Sequence, residues 1–249
     1  MKLIADSGST KTDWRLVKAS GEIIEAKTQG LNPYFKTMKE CKTTFMQELL
    51  PQLIDVGATK ITDIWFYGAG CSSDEKCKVL SDAFELVFPN ANIYVDHDLL
   101  AAARALCGKE PGMAGILGTG SNSCYFDGNV IVRNVTALGF ILGDEGSGAH
   151  MGKKLVKDYL DFEVPSSVRE RFDEKFGYSK EQLLDEVYMG DLPNRFLASF
   201  AKWIFQIKDK EPYAYQLISE CLEAFLDKHI CKYEQHRQVP LHLVGSIAF

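Results

Sequence analysis

Ile4-Ala5-Asp6-Ser7-Gly8-Ser9-Thr10-Lys11-Thr12-Asp13-Trp14 is the stretch on which the reading of this chain turns. A short apolar strand, Lys2 to Ala5, breaks into an acid, a glycine and four hydroxyl side chains, then resumes at Trp14-Arg15-Leu16-Val17. Such a loop offers backbone N–H groups and hydroxyls to an anion, and an acid at its mouth can hold a cation. Ser-Thr-Lys-Thr superficially suggests a P-loop, but the Gly-x-x-x-x-Gly-Lys-Ser/Thr spacing is missing and the loop leads into a hairpin strand, not a helix. Taken alone it could be an ordinary hydroxyl-rich turn.

Working outward, Trp14 to Lys18 and Glu22 to Thr28 flank the turn Ala19-Ser20-Gly21 and read as a hairpin. Thr37 to Ile54 has helical periodicity. Ile61 to Tyr67 is a strand stopping at Gly68-Ala69-Gly70, Ser72-Ser73-Asp74-Glu75 starts a helix, Asn92 to Val95 is a strand, and Leu99 to Leu106 is a helix. The order β-β-β-α-β-α-β-α departs from a doubly wound sheet. Near Glu110-Pro111-Gly112 it restarts, with strand Met113 to Leu117, loop Gly118-Thr119-Gly120-Ser121-Asn122, strand Ser123 to Phe126, turn Asp127-Gly128-Asn129 and strand Val130 to Asn134. This is the opening of the chain repeated, an internal duplication of architecture with domains at 1–111 and 112–249. Two such loops at equivalent places could grip a polyphosphate from both sides.

Helices follow over Ala149 to Phe162, Ser166 to Phe176, Lys180 to Tyr188, Asn194 to Lys208 and Pro212 to Tyr233, and a strand, Leu241 to Val244, runs into Gly245-Ser246-Ile247-Ala248-Phe249. A strand followed by Gly-Ser normally leads into something, so a C-terminal helix or more is expected beyond Phe249.

Composition sets the bounds. The 249 residues, 46% hydrophobic and 25% charged, are those of an ordinary globular protein with a sizeable core. A net charge of −6 argues against nucleic acid or an anionic membrane surface as partner. No apolar run approaches the roughly 20 residues that span a bilayer, and the chain starts in a strand without a signal-peptide pattern. Seven cysteines form no paired short-spaced motif, which suits free thiols in a reducing cytoplasm better than zinc or iron–sulfur ligation.

Three further groups carry chemistry. Asp96-His97-Asp98 lies where a strand becomes a helix. One of its acids reads as the helix N-cap, while a carboxylate there, close to a phosphate loop, can accept a hydroxyl proton during phosphoryl transfer. His97 reads as a structural neighbour. Gly143-Asp144-Glu145-Gly146-Ser147-Gly148 sets two adjacent carboxylates between glycines, costly unless they bind hydroxyls or a hydrated metal, and Ser147 can cap the next helix. Asn32, after Gly30-Leu31, could contact a substrate or be a loop residue.

Together these motifs resemble a known group. Asp6-Ser-Gly-Ser-Thr resembles the first phosphate motif of the actin/hexokinase/Hsp70 superfamily, Gly118-Thr-Gly-Ser-Asn the second, and Val244-Gly245-Ser246 its adenosine motif. Within it, Leu117 to Asn122 and Leu142 to Gly148 resemble the N-acetylglucosamine kinases and the BadF/BadG/BcrA/BcrD ATPases grouped with them. The resemblance implies an α/β fold of two ribonuclease H-like, actin-like ATPase domains with a cleft between them, binding ATP, Mg2+ and a sugar, and allowing a homodimer. By motif, Asp98 matches the base that deprotonates the sugar 6-hydroxyl. Asn32, Gly70, Ser121, Asn122 and Asp144 match sugar-contacting positions. Gly8, Ser9, Thr10, Lys11, Thr119 and Gly120 match phosphate-facing ones, Asp6 the neighbour of the hydrated magnesium, and Gly245 and Ser246 the adenosine contacts. Eukaryotic N-acetylglucosamine kinases carry Gly-Gly-Trp-Gly before Gly-Asp-Glu-Gly-Ser, with the tryptophan in the sugar pocket. Thr136-Ala137-Leu138-Gly139 stands there in this chain.

The expectation is an ATP-dependent kinase of an amino sugar, first N-acetylglucosamine. The alternatives are a BadF-type activase coupling ATP hydrolysis to electron transfer, or a non-catalytic sugar sensor of the same fold. The activase needs a cluster cysteine just before the second loop. Here Gly115-Ile-Leu117 precedes it, and Cys124 follows it within a strand.

Overall fold

The computed structural model describes residues 1–8, 11–53 and 56–248. The chain forms two compact units, Met1–Ala101 and Ala102–Phe249. No helix among the described residues is long and apolar enough to cross a membrane.

In the first unit, β1 (Lys2–Ser7), β2 (Lys11–Val17) and β3 (Ile23–Gln29) form an antiparallel meander, to which β4 (Asp63–Gly68) and β5 (Asn92–His97) add in parallel. The sheet order is β3-β2-β1-β4-β5. Alternation fixes the register: β1 turns Leu3, Ala5 and Ser7 inward, leaving Asp6 on the other face. On the buried face lie α1 (Met38–Thr44), prolonged by a π-helical turn, Phe45–Leu49, into α2 (Leu50–Gln52), and α3 (Asp74–Val87). An aromatic cluster joins sheet to helices, with Trp14 edge-on to Phe45 at 6.0 Å and Phe45 stacked on Phe84 at 4.2 Å. The Trp14 indole N–H donates to Thr28 Oγ1 at 3.0 Å, satisfying its one buried polar atom. β5 passes directly into α4 (Asp98–Cys107).

The second unit opens the same way. β6 (Gly112–Leu117), β7 (Ser121–Phe126) and β8 (Ile131–Val135) are an antiparallel meander, and β9 (Leu241–Val244) pairs in parallel with β6. Its order, β8-β7-β6-β9, reproduces the first four positions of the other sheet. The duplication inferred from the loops is therefore present in strand order and direction. Between β8 and β9 come α5 (Gly139–Leu142), α6 (Gly148–Leu160), α7 (Ser166–Phe176), α8 (Lys180–Tyr188), α9 (Pro193–Ser199), α10 (Ala201–Ile207) and α11 (Pro212–Lys228). Their apolar faces meet in one core around Met151, Phe172, Phe200, Trp203, Leu217 and Phe225.

Several local expectations are corrected. Lys11 begins β2, and Ser121 and Asn122 begin β7, so both polar loops are shorter than the residue types suggest. The helix expected over Asn194 to Lys208 is two helices meeting at Phe200, whose buried ring anchors the join. The last expected helix stops at Lys228 and continues as a 3-10 turn, Ile230–Lys232. The short α5 has no sequence signal beyond an apolar run.

Candidate functional site

In the first unit the chemistry gathers at the C-terminal ends of β1, β4 and β5. Gly8 N–H donates to Lys11 O at 2.9 Å, linking the end of β1 to the start of β2. The frame of this junction hangs on Ser7, whose hydroxyl shares a 2.7 Å hydrogen bond with Thr12 and accepts the Leu31 N–H, while its carbonyl accepts the Ala69 N–H. One buried serine thus ties the first loop to the segments that carry Asn32 and Gly70. Asn32 is itself buried, its Oδ1 accepting the Tyr34 N–H at 2.9 Å. Gly70 has φ +86°, and a Cβ there would come within 2.2 Å of Asn32 Oδ1, so these two positions are locked together.

Asp98 is half-buried at the first position of α4, with Oδ1 accepting its neighbour's Leu99 N–H at 2.9 Å. Loss of solvent raises its carboxyl above the ordinary value, against the Leu99 N–H and His97, and the charge of Asp6 pushes the same way. The expected acidic N-cap is corrected: His97 Nδ1 accepts the Leu100 N–H at 3.2 Å and does the capping. An imidazole one position earlier reaches the first-turn amide, which leaves Asp98 Oδ2 free of that duty. Asp6 keeps contact with solvent, yet partial burial and then Asp13 raise its carboxyl, with Lys11 opposing. Lys11 gives its ammonium to Asp13 at 2.6 Å. Ser9 and Thr10, expected to face phosphates, lie outside the described residues.

In the second unit, Gly118 N–H donates to Gly120 O at 2.9 Å, closing the second loop. The carbonyls of Gly118 and Thr119 accept the N–H groups of Gly148 and Ala149, and Ser147 Oγ accepts that of His150. The first turn of α6 is thus saturated by protein, so an anion here is left to the loop, where Thr119 is exposed. Gly245 has φ +115°, and a Cβ on it would meet Leu117 O at 2.2 Å. Only glycine lets the turn after β9 pass so close, which brings Ser246 and Ile247 beside the loop, Ile247 N–H donating to Leu117 O at 3.0 Å.

Asp144 is 8% exposed and, though not glycine, sits at φ +58°. Its Oδ1 accepts the Ser121 N–H at 3.3 Å, and its carboxyl packs on Gly120, where a Cβ would meet Oδ2 at 2.8 Å. Burial raises the Asp144 carboxyl, against the Ser121 N–H bond, and Glu145 adds to the rise. Beside it, the buried Ser121 hydroxyl has no hydrogen-bond partner among the described residues. A buried hydroxyl beside a carboxylate held at positive φ is a pair of groups able to bond ligand hydroxyls. Asn122 is committed differently: its Oδ1 accepts from Ser123 N–H and from the Asn134 side chain, both at 2.9 Å, bracing β7 against β8.

A cavity of about 600 Å³, of nucleotide size, opens wholly within this unit. It runs from Gly118, Thr119 and Ser246 to α9 and α10, which contribute Arg195, Lys202, Phe205 and Gln206. Sequence reasoning missed these four, because on their own they read as the solvated face of a helix. Their one signal is a pair of cations, Arg195 and Lys202, seven residues apart with no acidic residue between them. Cys124 is buried in β7, with its thiol pushed up to about 12 by burial, unsuited to a cluster thiolate.

Comparison with known proteins fits this arrangement. No family model and no curated protein matches. Among solved structures, the "Putative N-acetylglucosamine Kinase" of Porphyromonas gingivalis is 42% identical, with a TM-score of 0.93, over 100% of this chain and 87% of that one. The "Putative N-acetylglucosamine Kinase" of Chromobacterium violaceum is 19% identical (TM-score 0.75, 99% and 87% covered) and shares the fold. A ROK family glucokinase from Streptomyces griseus, in complex with glucose and AMPPNP, is 14% identical (TM-score 0.50, 97% and 93% covered) and likewise shares the fold. Paired sheets of matching order, each with a glycine-hydroxyl loop after its first strand, define an actin-like ATPase fold of the sugar-kinase type. The chain belongs to the N-acetylglucosamine kinase family grouped with the BadF/BadG/BcrA/BcrD ATPases.

Proposed function

We propose that this protein is an ATP-dependent kinase that phosphorylates the 6-hydroxyl of an amino sugar, N-acetylglucosamine first among them. The observation that carries the reading is the pairing of buried, unsatisfied Ser121 with Asp144, in a chain 42% identical to the Porphyromonas gingivalis protein. In the second unit Asp144 and Ser121 are assigned to sugar hydroxyls; in the first unit Asn32 is, with Gly70 keeping its amide in place. Asn122 acts through the strand it braces. Asp98 accepts the proton of the attacking hydroxyl through Oδ2, the oxygen that does not take the Leu99 N–H. A carboxylate whose affinity for a proton is raised by desolvation is a stronger base than an ordinary one.

The nucleotide lies in the 600 Å³ cavity, with phosphates at Gly118, Thr119 and Gly120, adenosine beside Gly245 and Ser246, and Lys202 and Arg195 supplying positive charge. In the first unit, Gly8 is the residue assigned to phosphate. Magnesium fits the donor set as a hydrated ion. Among the described residues no cluster of three or more acids, histidines or cysteines could hold a metal directly. Asp6, with a raised carboxyl and the Asp98 charge nearby, suits the single-carboxylate contact that magnesium makes when phosphates and water supply the rest. When bound, the ion would neutralise phosphate charge. The protein's own share is positioning and proton acceptance. The reaction belongs in the cytoplasm, where ATP is supplied. The test is ADP release over a panel of hexoses and hexosamines: stimulation by N-acetylglucosamine supports the reading, and no stimulation by any sugar removes it.

A further inference from the structure

Beneath the Asp144 loop lies a second layer of polar groups to which no role has been given. His229, at the C-terminal end of α11, is 3% exposed, and its Nε2 lies 3.2 Å from Glu145 Oε2. Its Nδ1 is buried without a partner among the described residues. The imidazole stacks on Phe225 at 5.1 Å, and Phe225 presses the loop so closely that a Cβ on Gly146 would meet it at 2.7 Å. From the other side, His150 Nδ1 accepts the Gly146 N–H at 3.2 Å, and Ser147 N–H donates to Asp144 O at 3.0 Å. The loop is held at every residue from 144 to 147.

Burying a histidine with one ring nitrogen unsatisfied is costly, and Asp144 carries a left-handed backbone that a non-glycine residue adopts only when its surroundings impose it. These two costs meet in Glu145, which is bonded to the one and adjacent in sequence to the other. We propose that Glu145 and His229 form a positioning latch, which holds residue 144 in its left-handed conformation and so aims the Asp144 carboxylate at Ser121 and the sugar. The latch acts through Asp144 and touches no substrate. Its sugar-binding consequence rests on the function proposed above, whereas its effect on loop geometry does not.

The prediction separates the latch from ordinary structural support. His229→Ala should raise the KM for N-acetylglucosamine about 10- to 100-fold, the usual loss when an orienting partner is removed, while leaving the KM for ATP unchanged. His229→Gln, which restores an N–H donor, should recover part of the loss. Glu145→Ala with His229→Ala should be no worse than the poorer single variant, because both break one interaction. Hydrogen exchange at the Ser121 amide, bonded to Asp144, gives a readout independent of turnover: His229→Ala and Glu145→Ala should both lose protection there. Unchanged Ser121 protection in both variants overturns the latch. A wild-type protein that phosphorylates no sugar overturns the kinase reading instead, and the exchange result still decides the latch. Equal rises in both KM values, with wild-type exchange at Ser121, mark plain destabilisation and also overturn it.

Discussion

Asp144 Oδ1 accepts the backbone N–H of Ser121 at 3.3 Å, joining the second phosphate loop to the acidic loop 23 residues further on. This one bond ties the loop proposed to face phosphate to the acid proposed to face sugar.

Gly120 is the floor on which Asp144 rests. Gly120→Ala places a methyl 2.8 Å from Asp144 Oδ2 and must push the carboxylate off Ser121. Steady-state kinetics should show a raised KM for sugar, roughly tenfold or more, with a melting temperature close to wild type because the displaced group is a side-chain end.

Gly245→Ala is a different kind of defect. The φ of +115° and the 2.2 Å approach to Leu117 O leave no room for a side chain. Strain of about 1–3 kcal/mol is expected, lowering the melting temperature by several degrees. Affinity for ATP should fall with it, measured by calorimetric titration of the nucleotide.

Lys202→Ala and Arg195→Ala remove cations from the wall of the cavity. Each should raise the KM for ATP several-fold, more at low than at high ionic strength since both residues are exposed. The KM for sugar should stay as it is.

His150 sets an acid limit on stability. Burial first, and then Lys153, pull its value below the ordinary 6.5, with Glu145 opposing. The unfolded chain therefore takes up a proton before the folded one does. Its contribution is fully present above the unfolded value and is lost as pH falls below about 6.5 towards the folded value. Melting curves between pH ~7.5 and pH ~5.5 should drop less steeply for His150→Gln than for wild type.

Much of this was legible beforehand, for identifiable reasons. The meander was readable because β1 and β2 alternate, and its repeat because the stretches after β1 and β6 carry glycine and hydroxyls in matching places. Asp144 stood out because two acids between glycines have few structural uses. What stayed hidden depends on side-chain reach. That His97, not an acid, caps α4 follows from where an imidazole nitrogen lands. That Lys11 turns to Asp13 follows from both facing the same side of β2. The cavity cations and the His229 partnership with Glu145, 84 residues away, are tertiary facts with no local signature.

The central claim is that Asp98 takes the proton of a sugar hydroxyl, and sugar-stimulated ADP formation by wild type and Asp98→Asn tests it most directly. Wild type should respond to N-acetylglucosamine, with an acid limb in kcat/KM above the ordinary carboxylate value of 3.8. Asp98→Asn should lose about 10²–10⁴-fold in stimulated turnover and still bind the sugar. Near-wild-type turnover by Asp98→Asn would contradict the account.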